Sequence, residues 1–206
     1  MIWLIRNLLL TGLLMGIITY AVCRKTPDVR RRVASMAVMS ILILMVFWLT
    51  GVSPKSGFHP GIDMTRIQMV PFEGIKTVLY YGVNLYAIEN ILGNAVMLLP
   101  VCFFLPVCFR PLRRWYFVTL IGMALSILIE LSQLFLMRGT DIDDIILNTM
   151  GAFLGYWLWK LVWLIKKPQE MQETPKGWNL LWIPAILIPY SIEILMGFAD
   201  QCFGWM

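Results

Sequence analysis

The sequence contains little charge. Only 14% of its 206 residues are Asp, Glu, Lys or Arg, against roughly a quarter in soluble globular proteins. Hydrophobic residues make up 59% of the chain, so water is not its main solvent. A net charge of +5 would suggest a nucleic-acid partner in a soluble protein. Here the basic residues lie in short loops between apolar runs, where they set orientation, so no nucleic acid is expected.

The chain also lacks the usual combinations of a metal or nucleophile site. Its four cysteines have no metal-ligand spacing and do not pair in one outer loop, so we infer no disulfide. The single histidine, His59, has no Ser or Cys nucleophile beside it, and a lone histidine is more often a surface residue than a ligand. No internal repeat supports an inverted-repeat transporter. Cofactor and metal content stay unknown.

Long apolar runs are what the chain has in abundance. A spanning helix needs about 20 mostly apolar residues, and six such runs are separated by short charged or Pro/Gly-containing breaks. They predict an all-α, polytopic transmembrane helix bundle in a single membrane domain, residues 1–206. The predicted spans are residues 2–23, 33–52, 88–109, 115–137, 145–165 and 180–198. Pro184 and Pro189 predict a kink in the last of them.

Basic residues are concentrated in every second loop. The three basic segments lie around residues 24–32, 110–114 and 166–176. Because Lys and Arg are retained in cytoplasmic loops, this alternation predicts both termini outside. The loop 53–87 then lies outside, and its amphipathic stretch 69–75 is expected to form either a short interfacial helix or an ordered surface loop.

Polar side chains inside the spans cost free energy, so each is a functional candidate. Ser126, Glu130 and Gln133 lie on one face of the fourth span. Asn90 and Asn94 lie one turn apart near the outer end of the third span. Alternatively, the amides and the serine have no functional role and link helices by hydrogen bonds. Glu130 is harder to explain in this way, because a buried carboxyl must be protonated or paired.

The fifth span and the loop before it add further polar groups. Asp144 and Asn148 lead into a stripe of glycines that allows close helix contact. Arg138, in the preceding loop, is a candidate partner for Glu130. The same loop contains Asp141 and Asp143. Three alternatives are open for these aspartates: they are solvated, they hold Ca²⁺ or Mg²⁺, or they bind a cationic ligand. Spans three, four and five thus predict one outward-opening polar site.

The order of these elements resembles the VanZ-like membrane proteins. The resemblance covers residues 69–156 and predicts a core of about 69–165. The matching residues are Val70, Pro71, Phe72, Glu89, Asn90, Gly93, Asn94, Pro100, Leu105, Pro106, Ser126, Glu130, Gln133, Arg138, Asp141, Asp143, Asp144, Asn148, Gly151, Gly155 and Tyr156. The resemblance implies a multi-pass protein of the bacterial inner membrane, in a family named for low-level resistance to teicoplanin, a lipid-tailed glycopeptide. It supplies no reaction.

Three hypotheses about function follow. The first is a binding protein whose outer site engages an amphiphile, either a membrane lipid, a lipid-linked cell-wall precursor or a lipoglycopeptide antibiotic. In it Phe72 contacts the acyl region while the amides and carboxyls bind the polar head. The second is an enzyme acting on a lipid-linked headgroup through Glu130 and the aspartates Asp141, Asp143 and Asp144. The third is a proton-coupled transporter of a small molecule or lipid.

Overall fold

A computed structural model describes residues 2–54, 57–58, 61–81, 85–136, 138–166 and 174–203. Six helical segments in it are long and apolar enough to cross a membrane, which confirms the predicted all-α bundle. His59, predicted to be a surface residue, lies outside the described residues.

Eight α-helices are described. They are α1 (Ile2–Cys23), α2 (Val29–Thr50), α3 (Glu73–Tyr81), α4 (Leu85–Met97), α5 (Leu99–Cys108), α6 (Trp115–Gln133), α7 (Ile142–Lys166) and α8 (Trp182–Phe203). Helix α8 continues through both Pro184 and Pro189. Because the number of spans is even, both termini lie at one end of the bundle, which we call the outer end. The basic loops lie at the opposite end, which we call the basic end.

The helices differ from the predicted spans at several boundaries, of which those of the second and third spans matter most. Helix α2 begins at Val29, so the basic residues 30–32 belong to its first turns. Arg32 is buried and lies over the ring of Trp178, 4.7 Å from its centroid, because a guanidinium can stack on an aromatic face. The predicted third span is two helices, α4 and α5, that meet at Leu98. Pro100 fits the first turn of α5, where its missing N–H breaks no helical hydrogen bond.

Helix α7 is the centre of the core and packs against α4, α5 and α6. Two glycines make this possible. A Cβ on Gly151 would lie 2.4 Å from the carbonyl oxygen of Ala95, and one on Gly155 would lie 2.5 Å from that of Leu99. The glycine stripe therefore serves packing within the chain. Helices α1, α2 and α8 pack together beside this core, with α2 contacting α5.

The outer end is closed by short non-helical segments. Strands β1 (Ile67–Gln68) and β2 (Thr140–Asp141) form a two-residue parallel pair, which the all-helical prediction did not include. Helix α3 follows and begins at Glu73, so the predicted stretch 69–75 is a non-helical segment over 69–72 and helix only from residue 73. Residues 69–72 precede it as a turn, and Phe72 has a φ of 64°.

Candidate functional site

Asp143 holds the turn before α3. Its side chain is buried at the start of α7, and its two carboxylate oxygens accept the backbone N–H groups of Phe72 and Gly74, the latter at 3.0 Å. A carboxylate in this position satisfies amides that have no partner within a helix's first turn. Because a non-glycine residue at positive φ is strained, the contact also stabilises the backbone of Phe72. Asp143 thus fixes α3 to the core.

Glu130 likewise orders the backbone of the loop that leads into α7. Its side chain is buried in α6, and its Oε2 accepts the backbone N–H of Asp141 at 3.0 Å. The carboxylate of Asp141 in turn accepts the N–H of Asp143 at 2.8 Å. Burial raises the pKa of Asp141, against the opposing effect of that hydrogen bond. Glu130, Asp141 and Asp143 therefore form a chain of carboxylates, each of which orders the backbone of the next segment.

Two side-chain hydrogen bonds tie α7 to its neighbours. The Asn94 amide of α4 donates to the carboxylate of Asp144, and Asn148 Nδ2 donates to Ser126 Oγ of α6 at 3.0 Å. Asn90 lies one turn before Asn94 on the exposed side of α4. The convergence predicted for spans three, four and five is thus present among the described residues.

The buried Ser126 and Asn148 pair gives a quantitative prediction. Replacing either residue by alanine is expected to lower the free energy of unfolding. A double-mutant cycle is expected to give a coupling of about 0.6 kcal/mol, the average for hydrogen bonds between membrane helices, and no more than about 1.7 kcal/mol. Unfolding in bicelles measures the wild type, the two single variants and the double variant. Strictly additive losses would show that the two side chains do not interact.

Arg138 binds a different group from the one predicted. Its Nη1 donates to the carbonyl oxygen of Thr50 at 2.5 Å, and Gln133 Nε2 donates to the same oxygen at 3.0 Å. Arg138 and Glu130 form no ion pair within 4 Å. The last carbonyls of a helix carry partial negative charge and lack a helical partner, so a cation at the end of α2 is favoured over the predicted pairing. Gly51 leaves room for the guanidinium, since a Cβ there would lie 2.3 Å from Nη1.

The predicted site residues divide by accessibility. The inner group is buried and consists of Ser126, Glu130, Gln133, Asp143 and Asn148. The outer group is exposed or half-buried and consists of Asn90, Asn94, Arg138, Asp141, Asp144 and Phe72. A small cavity of about 80 Å³ opens beside the outer group and is lined by Asp63, Arg66, Arg138 and Thr140. The ligand-binding role of both groups stays a prediction, and the outer group is the one that solvent or lipid reaches.

The aspartates do not converge as metal ligands would. Asp143 directs both oxygens at backbone amides, whereas Asp144 faces Asn94. In the part of the chain that the structure describes, no group of three His, Cys, Asp or Glu side chains has the arrangement of a metal site. Because the oxygens of Ca²⁺ and Mg²⁺ sites surround one point, the metal alternative gains no support from this arrangement.

A second polar cluster was missed by the sequence reasoning. Arg6 Nη1 and the Asp200 carboxylate form an ion pair at 2.7 Å, and Asn7 Nδ2 donates to Glu193 Oε2 at 2.8 Å. The cluster joins α1 to the outer half of α8. Glu193 and Asp200 are seven residues apart, hence on one helix face, and this spacing was the available signal.

These features define a polytopic helical membrane protein with a buried carboxylate and amide cluster near its outer end. The family model described as VanZ/LLP1 matches residues 33–164, more than half of the chain. The chain therefore belongs to the VanZ/LLP1 family and is a VanZ-like membrane protein. The match begins upstream of residue 69, in α2. The comparisons with curated proteins and with solved structures found no match.

Proposed function

We propose that the protein binds an amphiphile at its outer end, either an envelope lipid or a lipoglycopeptide antibiotic, and that this binding underlies resistance. One observation carries the proposal. The contact from Asp143 to the amides of Phe72 and Gly74 places an exposed apolar segment directly beside accessible polar groups. Such a surface suits a ligand that is half acyl chain and half polar head.

The apolar half of this surface consists of exposed side chains in the segment that leads to α3. Met69 is 65% exposed, Val70 51% and Phe72 50%. Exposed apolar side chains at a membrane surface can insert among the acyl chains, which removes them from water. Because the amide of Phe72 is bonded to α7, this segment is held against the polar groups and does not move independently of them.

The polar half is formed by the outer group, with Asn90, Asn94 and Asp144 on one side and Arg138 on the other. Amides supply both donors and acceptors, and Arg138 supplies donors suited to a phosphate or carboxylate. In this proposal the buried carboxylates Glu130 and Asp143 hold the backbone in place and do not touch the ligand. The same proposal places the basic end in the cytoplasm of a bacterial inner membrane and both termini outside.

Replacing Phe72 by glycine separates binding from folding. Glycine accepts a φ of 64° without strain, so Phe72→Gly is expected to keep the fold and remove only the apolar side chain. Cells that express this variant are expected to lose most of the teicoplanin protection given by the wild type, at equal membrane levels. Protection against a teicoplanin core without its acyl chain is expected to be absent for both proteins.

Phe153→Ala is the matched control, because Phe153 is 38% exposed on α7 and lies against Trp115 near the basic end. It is expected to protect as well as the wild type. Equal protection by Phe72→Gly and the wild type would show that the 69–72 segment does not contact the antibiotic. Protection against the core without an acyl chain would contradict an amphiphile as the ligand.

A further inference from the structure

An open groove lies between α6 and α8, far from the outer group. Helix α6 packs on α7, and α8 packs on α1 and α2. The two helices are joined by a hydrogen bond between the hydroxyl groups of Ser132 and Tyr190, at 2.8 Å. From that bond toward the basic end they enclose a groove of about 700 Å³, which lies within the usual range of ligand sites.

The walls of the groove are apolar. Leu120, Ala124 and Leu128 come from one face of α6, and Ile183, Ile186 and Leu187 come from α8. The floor at the basic end is formed by the two short turns that contain Leu112 and Leu180. An apolar chain in this groove contacts protein on two sides, so it is held more firmly than a chain on a convex helix surface.

The length of the groove matches one leaflet. Its lining on α6 extends from Phe117 to Leu128, which corresponds to about 16 Å of helix and to roughly half of the 30 Å hydrocarbon core. A transmembrane helix of a partner would need a groove open through the whole bilayer, and the contact between Ser132 and Tyr190 closes this one. The groove therefore fits an acyl chain better than a helix.

Polar and basic groups lie where the groove reaches the basic end. Arg110 and Arg114 are exposed on either side of the groove-lining turn at Pro111, and Lys176 is exposed near Asn179. Asn179 lines the floor, and its buried Oδ1 has no hydrogen-bond donor among the described residues. Basic side chains attract an anionic headgroup at a membrane surface.

From this geometry we propose that the groove between α6 and α8 holds an acyl chain of an anionic phospholipid, such as phosphatidylglycerol, whose phosphate lies against Arg110 and Arg114. The lipid belongs to the leaflet at the basic end, so the site is separate from the amphiphile site proposed at the outer end. It fills the space between two helices that are otherwise held together across the groove by the bond from Ser132 to Tyr190.

Native mass spectrometry of the purified full chain tests this proposal. The protein is offered phosphatidylglycerol and phosphatidylcholine with identical acyl chains in equal amounts. One lipid per chain is expected to remain bound, with phosphatidylglycerol favoured at least fivefold. Ala124→Trp fills the groove and is expected to reduce the retained lipid at least tenfold. Ala37→Trp, at an exposed alanine of α2, is the matched control and is expected to retain lipid as the wild type does.

The double variant Arg110→Gln/Arg114→Gln tests the headgroup separately. It is expected to keep one bound lipid and to lose the preference for phosphatidylglycerol. Equal retention by Ala124→Trp and Ala37→Trp, or no headgroup preference in the wild type, would overturn the proposal. A dimer that Ala124→Trp abolishes would also overturn it, and would identify the groove as an interface between two copies.

Discussion

Replacing Gly151 by alanine is expected to destabilise the bundle by a few kcal/mol, because the added Cβ would lie 2.4 Å from the carbonyl oxygen of Ala95. The neighbouring atom belongs to the backbone of α4, so relief requires a shift of a whole helix. Adding Gly155→Ala, which meets the carbonyl oxygen of Leu99 at 2.5 Å, is expected to abolish the folded bundle. The melting temperature in detergent and the monodisperse fraction on gel filtration measure both effects.

Gly12→Ala and Gly16→Ala are matched controls in α1. Nothing lies within 4 Å of a Cβ built at either position, and alanine is the better helix former by about 0.5–1 kcal/mol. Both are therefore expected to leave the melting temperature unchanged or to raise it. A melting temperature of Gly151→Ala equal to that of the wild type would contradict the close approach of α4 and α7.

Replacing Asp143 by alanine is expected to release α3 from the core. Two backbone amides lose their acceptor, and hydrogen bonds to a charged group are worth about 1.5–3 kcal/mol each. The positive φ of Phe72 then lacks its stabilising contact and costs on the order of 1–3 kcal/mol. Amide exchange of residues 69–81 is expected to accelerate at least tenfold, since 1.4 kcal/mol corresponds to a factor of ten. Teicoplanin protection is expected to fall with it.

Glu73→Gln is the control for this experiment. It removes a charge from the same segment, but the ion pair of Glu73 with the exposed Lys76 is 3.8 Å long, and such surface pairs are worth about 0–1 kcal/mol. Exchange and resistance are expected to stay at wild-type values. Unchanged exchange in Asp143→Ala would show that the amides of Phe72 and Gly74 are ordered by other contacts.

The convergence of the polar residues could be predicted because it depends on local periodicity. Ser126, Glu130 and Gln133 share a face in any α-helix, and the loops are too short to allow another order of spans three, four and five. The stripe of Gly151 and Gly155 follows from the same periodicity, since small residues on one face allow two backbones to meet. Only the structure shows that the backbones they meet belong to the same chain.

The partners of these groups could not be predicted in the same way. Arg138 was expected to pair with Glu130, eight residues earlier in sequence, yet it binds the end of α2 at Thr50. Glu130 binds a backbone amide instead of a cation. Both outcomes depend on which helix ends meet at the outer end. Sequence spacing gives no distance between elements that are far apart along the chain.

The sequence by itself determined the six spans, the basic and outer ends, and the polar residues that converge from spans three, four and five. Apolar length and helical periodicity are local properties, and a bilayer allows few alternatives to a helix. Only the tertiary structure decided that Asp143 orders Phe72, that Arg138 caps α2, and that α6 and α8 leave a groove. Each depends on contacts between segments distant in sequence, where hydrogen-bond geometry and packing select one partner among several of similar chemistry.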